Sequence, residues 1–411
     1  MQKNICSFCG EKKYVIEGQS GFICSDCCDI CVDEFGAKGN TKKNIRNANP
    51  FRLKQELDRY VVGQEEAKMI LSVAVCNHIK RIKTQNNTID KSNILILGPT
   101  GCGKTFLMST IASILDMPMV IVDSTNFTQV GYVGDDVNSI LKSLYIKAGG
   151  NIEKCKTGIV YVDEIDKIMT KVSAHNDRDA AGTGVQQNFL KLMEGGIQSF
   201  KMMSETGITE VSIDTKNILF VFGGAFVGID TPREEKKHIG FTSDPVPKQK
   251  HSADITQEDI VKYGFIPEFI GRIPIIVQMR ALTRDDLRGI LVDTPRSVLS
   301  QYRELFAFDN IKVSFDESLI NEILDNAMTK KMGARGLRGT IEKDMMRIMF
   351  EASKYSGSKK ITITRDLLNN PDRYIETAEN IIVDGEAVKI APKSRKKPIN
   401  TNKPATFMLA N

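Results

Sequence analysis

Hydrophobic positions along this 411-residue chain fall into short apolar runs that alternate with stretches of helical spacing. Five runs, at 94–97, 119–122, 159–162, 218–222 and 273–277, have the length of strands. Between them, residues 106–115 and 185–193 place apolar side chains three and four positions apart, the period of a helix. The runs are continuous rather than alternating, so each predicted strand is buried on both faces. That pattern predicts an α/β fold with a doubly wound, mostly parallel sheet covered by helices. Helical spacing also covers 51–82 and, past Leu282, the stretches 284–291, 295–306, 316–327 and 334–353. A small, mainly helical second domain follows from the latter group.

Polar stretches mark the boundaries. Residues 36–50 (GAKGNTKKNIRNANP) are basic and without period, the composition of a linker. Residues 230–252 form a long polar surface segment with one apolar island, Ile239-Gly240-Phe241, which is either tucked inward or offered to a partner. The last twenty residues are basic and proline-punctuated, and read as a disordered tail. The expected division is therefore an N-terminal module at 1–35, a linker at 36–50, a large domain at 51–281, a small domain at 282–391 and a tail at 392–411.

Composition adds two constraints. With 41% hydrophobic and 26% charged residues the chain has the make-up of a soluble globular protein, and 56 basic against 51 acidic residues argue neither for nor against nucleic acid. No apolar run approaches the roughly eighteen residues of a membrane span and no signal-peptide core is present, so a cytoplasmic location without membrane contact is expected. Six of the nine cysteines crowd into the first 31 residues, which points to metal binding in a reducing compartment rather than to disulfides. Cys6-x-x-Cys9 and Cys24-x-x-Cys27 form two knuckles whose four thiolates can close a tetrahedral, structural zinc site. Cys28-x-x-Cys31 is a further possible knuckle, with Cys31 the alternative to Cys24 or Cys27. So short a module buries little, and zinc would supply most of its folding energy.

The first buried strand ends in Gly98-Pro99-Thr100-Gly101-Cys102-Gly103-Lys104-Thr105, with Phe106 opening the helix behind it. This is a phosphate-binding loop in its strand-loop-helix setting. Its glycines let backbone N–H groups face an anion, Lys104 reaches the β- and γ-phosphates, and the Thr105 hydroxyl ligates magnesium. The run at 159–162 ends in Asp163-Glu164, a Walker B pair. Asp163 would hold magnesium through water and Glu164 would orient and deprotonate the attacking water. Three other stretches stay open on spacing alone. Val61 and Val62 line either an adenine pocket or a packed turn. Gly131-Tyr132-Val133-Gly134 is a tight turn or an exposed aromatic loop. Arg335, at the start of a long helix, is a surface charge or a γ-phosphate contact.

Taken in order, CSFCG (6–10), YVVGQEEAK (60–68), GPTGCGKT (98–105), GYVG (131–134), GIVYVDEIDKI (158–168), GVQQNFLKLMEGG (184–196), FGGAF (222–226), IGF (239–241), GFIPEFIGRIP (264–274) and GARGLR (333–338) resemble the ClpX family of AAA+ ATPases. The resemblance implies an ATP-driven protein unfoldase and translocase that forms a homo-hexameric ring and feeds a ClpP-type peptidase. It implies ATP contacts at Val61, Val62, Gly98 to Phe106, Asp163 and Arg335, with Mg2+ and structural Zn2+ as metals. Arg272 matches an arginine finger presented to the neighbouring subunit, and Arg335 a sensor of the γ-phosphate. Tyr132 and Val133 match a pore loop that grips unfolded or tagged protein substrates. Ile239, Gly240 and Phe241 match the peptidase-docking loop, and the zinc module an adaptor-binding domain.

The chain departs from that pattern between Gly196 and Ile218, where the family's Arg-Lys-His triplet is replaced by IQSFKMMSETGITEVSIDTK. The spacing between the cysteine pairs and the segment around Ile239 are also shorter than the family's. A remodelling chaperone without a peptidase is the alternative reading. A nucleic-acid motor or clamp-loading ATPase is disfavoured, because the cysteine module lacks interleaved basic and aromatic residues and Tyr132-Val133 carries no charge.

Overall fold

The computed structural model describes residues 2–18, 21–28, 48–84, 89–127, 137–169, 180–204, 207–229, 255–330, 332–354, 359–373 and 379–380. The chain divides into two compact units, Met1–Ala281 and Leu282–Asn411. At the N-terminus β1 (Gln2–Ile5), β2 (Lys12–Gly18) and β3 (Gly21–Cys24) make an antiparallel sheet. Strand alternation turns Val15 toward Cys6, Cys24 and Cys27, with which it forms the buried cluster of this module among the described residues, while Tyr14 and Ile16 face outward.

The rest of the first unit begins with α1 (Pro50–Asp58), whose first turn is capped by the Asn49 side chain accepting from the N–H groups of Phe51 and Arg52. After it come α2 (Glu65–Thr84), β4 (Ile94–Leu97), α3 (Lys104–Leu115), β5 (Met119–Asp123), α4 (Val137–Lys147), α5 (Ile152–Lys156) and β6 (Ile159–Asp163). Then follow α6 (Ala180–Glu194), the antiparallel pair β7 (Ile197–Ser204) and β8 (Gly207–Asp214), β9 (Leu219–Gly224), α7 (Gln257–Tyr263), α8 (Pro267–Gly271) and β10 (Ile275–Gln278).

Five strands form one parallel sheet in the order β10-β4-β9-β6-β5. The chain enters it at β4, crosses to the β5 edge, returns through β6 and β9, and ends at the opposite edge with β10. Successive side chains of each strand serve different cores. Leu95, Leu97, Val160, Val162, Phe220 and Phe222 belong to one cluster, whereas Ile94, Ile96, Ile159, Tyr161, Leu219 and Val221 belong to the other. Both faces of these three central strands are therefore dry, which is why their sequence runs are unbroken; β5, expected to be buried as well, is an edge strand and leaves Ile121 half-exposed.

The second unit contains α9 (Arg284–Arg288), a π-turn at 289–293, α10 (Val298–Phe308), β11 (Ile311–Phe315), α11 (Glu317–Thr329), α12 (Ala334–Ala352), β12 (Lys359–Ile363), α13 (Arg365–Asn369) and β13 (Glu379–Asn380). Its helices agree with the sequence pattern to within a few residues. The three-stranded sheet β11-β12-β13 was not expected. Each of its longer strands places only two or three side chains in the core, such as Ile311 and Val313 or Ile361 and Ile363, too short a signal to separate from helical spacing. The β7–β8 hairpin was not expected for the same reason, its buried side chains being Phe200, Val211 and Ile213, with Met202 packed partly beside them.

Candidate nucleotide site

The C-terminal ends of β4, β6 and β9 converge, and the phosphate loop leaves the sheet there. Two neighbours pin its first residue. The Met279 N–H donates to the Leu97 carbonyl at 2.7 Å, and the Gly98 N–H to the Gly224 carbonyl at 3.2 Å. A Cβ at Gly98 would stand 2.6 Å from the Met279 carbonyl oxygen, so glycine is the only residue that fits. Gly101 (φ +79°) and Gly103 (φ +100°) supply the left-handed turns that fold the loop back on itself. Gly103 caps α3 without any side-chain acceptor, so the helix's first N–H groups point into the loop unclaimed. An uncapped helix start ringed by backbone N–H groups suits an anion.

Around that loop stand the predicted side chains. The Lys104 ammonium donates to the Gly98 and Pro99 carbonyls at 2.6 and 3.2 Å, across the mouth of the loop. Cys102 lies buried beneath it, and burial raises its thiol pKa, so it packs rather than reacts. The Thr105 hydroxyl donates to the Asp163 carboxylate at 2.8 Å, which brings the two predicted magnesium ligands together across the sheet. A hydroxyl and a carboxylate beside an anion loop are the donor set a magnesium ion takes with a bound phosphate. Next to Asp163, Glu164 exposes its carboxylate from a left-handed backbone (φ +55°). Its N–H donates to Asp163 at 3.0 Å and its carbonyl accepts from the buried Ser124 hydroxyl at 2.7 Å. Asp166, buried, accepts from the Ala225 N–H at 3.1 Å and fixes the following turn to the end of β9.

Val61 belongs to the same core cluster as Cys102, Leu107 and Met279, with Val62 half-buried beside it. Two residues that spacing did not single out hold this turn. Gln64 (φ +57°) donates to the Arg280 carbonyl at 2.8 Å and accepts from the Arg280 N–H at 3.1 Å. Lys68 is buried and donates to the Val61 carbonyl at 3.2 Å while pairing with Asp58 and Glu65 at 2.6 and 2.7 Å. Lys54 and Lys68 hold the Glu65 carboxyl below its usual range.

Arg272 lies elsewhere. Its carbonyl accepts from the Asn93 side chain at 2.9 Å, immediately before β4, so it sits at the N-terminal edge of the sheet. The phosphate loop leaves the other edge, about 13 Å of strand away. The exposed Arg272 guanidinium pairs with Glu194 at 3.1 Å. In the second unit, Arg335 is exposed on the first turn of α12. Tyr132 and Val133, with Gly131 and Gly134, lie outside the described residues, as do Ile239, Gly240 and Phe241.

In the N-terminal module the Sγ atoms of Cys6, Cys9, Cys24 and Cys27 all lie within 4.8 Å of one another. Cys9 and Cys24 are 3.8 Å apart, and the Cys24 N–H donates to the Cys6 sulfur at 3.3 Å. Four thiolates bound to zinc at about 2.3 Å stand about 3.8 Å apart, so the set fits that ion. Cys28 is half-buried and is not one of the group, and Cys31 lies outside the described residues.

A phosphate loop, a Walker B pair and the strand order β10-β4-β9-β6-β5 define an AAA+ ATPase, and a second, smaller unit follows it in the chain. The family profile for the AAA domain (Cdc48 subfamily) matches residues 89–276, and that for the C-terminal D2-small domain of ClpB protein matches 282–359. The chain is 41% identical over 392 residues to the ATP-dependent Clp protease ATP-binding subunit ClpX of Treponema denticola, covering 89% of this chain and 94% of that one. It is 39% identical, with the same coverage, to the ClpX subunit of Bacteroides thetaiotaomicron. The chain belongs to the ClpX family. Among the described residues no helix is long and apolar enough to cross a membrane.

Proposed function

We propose that the chain is an ATP-dependent protein unfoldase and translocase that works as a homo-hexameric ring in the cytoplasm and delivers unfolded or tagged proteins to a ClpP-type peptidase. The observation that carries this reading is the separation of the site into two halves. The phosphate loop, Asp163 and Glu164 occupy one edge of the sheet, and Arg272 is fixed to the other by Asn93. An arginine so placed serves a neighbour's nucleotide, and hydrolysis then requires a ring. The names of both relatives, ATP-binding subunits of an ATP-dependent protease, support the same reading.

In this mechanism the N–H groups of Gly101 to Thr105 and the Lys104 ammonium hold the phosphates, while Val61 and Val62 flank the adenine. Thr105 and Asp163 would hold Mg2+, which neutralises charge on the β- and γ-phosphates when bound. Glu164 aligns the attacking water and takes its proton. The neighbour-facing Arg272 offsets charge gathering on the transferred phosphoryl group, and Arg335 relays the γ-phosphate to the second unit. Tyr132 and Val133 grip the polypeptide, and Ile239, Gly240 and Phe241 dock on the peptidase. Cys6, Cys9, Cys24 and Cys27 would hold Zn2+ in a module that meets adaptor proteins.

The test supplies ATP and a tagged, stably folded reporter with and without a ClpP peptidase. The chain should unfold the reporter, and degradation should need the peptidase. Its Glu164→Gln variant should bind ATP but lose hydrolysis by about a hundredfold or more. Normal hydrolysis without unfolding of any reporter would sink the proposal. Unfolding by a chain that binds no peptidase would mark a remodelling chaperone, and stimulation of hydrolysis by DNA but not by unfolded protein a nucleic-acid motor.

A further inference from the structure

Helix α6 sends one polar side chain into the core that the mechanism above does not use. Gln186 is 0% exposed. Its amide N–H donates to the Ile168 carbonyl at 3.1 Å, at the end of the short turn that begins after Glu164. Its amide oxygen accepts from the Ile266 N–H at 2.9 Å. Ile266 is the N-cap of α8, and Arg272 is that helix's C-cap. The assignment of nitrogen and oxygen is forced, because a carbonyl stands at one end and an N–H at the other. In a dry core, losing either bond strands a backbone group without a partner.

Independent packing joins the same three pieces. A Cβ at Gly182, one turn before Gln186, would lie 2.8 Å from that same Ile168 oxygen, so helix and turn approach as only glycine permits. Phe189 of α6 meets Phe222 of β9 edge-on at 5.8 Å, and Phe222 meets Phe269 of α8 at 5.1 Å. At the far end of α6, Glu194 pairs with the Arg272 guanidinium at 3.1 Å. Close-packed aromatic groups do not slide independently, so α6 and α8 behave as one body.

We propose that Gln186 is a positioning residue that ties the backbone behind Glu164 to the helix that presents Arg272, so that one subunit's water-activating carboxylate and the arginine it offers its neighbour are set together. The inference rests on the reading of Arg272 as acting in trans. A displacement at Ile168 is transmitted to Glu164 four residues back. One at Ile266 is transmitted through a single short helix to Arg272.

The test uses the full chain as an assembled ring and two variants. Gln186→Met keeps length and packing but neither bond, and should lower kcat for ATP hydrolysis by about tenfold or more with KM for ATP within about twofold. Gln186→Glu should be impaired at about pH 8 and recover toward about pH 6, because a buried carboxyl takes up a proton there and can again both donate and accept. Gln186→Met should show no such recovery. A folded Gln186→Met with the kcat of the unaltered chain overturns the proposal. Should that variant not fold, a Gln186→Glu pH profile parallel to the unaltered chain's overturns it instead.

Rings formed from increasing fractions of Gln186→Met subunits then test the tie itself. Loss steeper than proportional means each altered subunit damages its own site and the next, as proposed; proportional loss overturns the tie. The trans reading is tested separately by mixing Arg272→Ala with Glu164→Gln subunits, where recovered hydrolysis supports it. Failure to recover overturns that reading, while proportional loss alongside recovery overturns only the role of Gln186.

Discussion

His78, inside α2, is buried with neither ring nitrogen in a well-formed hydrogen bond, and burial followed by the charges of Arg81 and Lys91 pushes its pKa down to about 3 against a weak opposing contact with the Asn217 backbone. Lys91 is itself lowered to about 7 by burial and by Arg81, with Asp214 opposing, and donates to the Thr215 carbonyl at 3.3 Å while lying over the Phe220 ring. Both shifts act in the same direction. Between about pH 6.5 and 3 the unfolded chain binds a proton at His78 that the folded chain refuses, so stability is lost as pH falls through that window. The cost of a charged Lys91 is complete below about pH 7 and is relieved as pH rises toward 10.5. The apparent melting temperature should therefore fall on acidification from about pH 7 to pH 5, and His78→Leu should flatten that fall. Thermal melts across this range decide it; an unchanged slope in the variant would place the acid sensitivity elsewhere. Residue-level chemistry was legible where it is local, as in the phosphate loop and Asp163-Glu164. Gln64, Gln186 and Ser124 were not, because their partners lie 216 residues away for Gln64, 18 and 80 for Gln186, and 40 for Ser124, and no spacing announces them.

At the scale of elements, the buried core of the N-terminal sheet among the described residues is Cys6, Val15, Cys24 and Cys27, with Phe22 and Ile23 packed partly against it. A domain so small would depend on a metal held by these cysteines, since the apolar area removed from water is far too little to offset chain entropy. Metal analysis of the purified chain should find about one zinc per chain. Cys27→Ser should lose it, whereas Cys28→Ser should keep it; the reverse result would mean that Cys28 belongs to the ligand set. The long buried strands and helices of the first unit were readable because continuous apolar runs and a 3.6-residue period are strong signals. β7, β8, β11 and β12 were not, since two or three inward side chains on a half-exposed strand resemble one turn of an amphipathic helix.

For the whole molecule, Arg272 lies at the end of the sheet opposite the phosphate loop, and the proposed function makes catalysis a property of the assembly. Specific ATPase activity should fall as the chain is diluted below its assembly concentration. Arg272→Ala should retain ATP binding and ring formation while losing hydrolysis by about a thousandfold. Sedimentation and ATPase measured on the same dilution series check both points, and activity independent of concentration in a dissociated chain would refute the shared site. The sequence by itself determined the nucleotide chemistry, the presence of a cysteine-rich module and the parallel sheet, because each follows from residue type at short spacing. Only the tertiary structure decided that Thr105 touches Asp163, that Cys27 joins the cysteine cluster and Cys28 does not, and that Arg272 turns away from its own phosphate loop. Those facts depend on strand order and packing between segments far apart in the chain, which local periodicity does not encode.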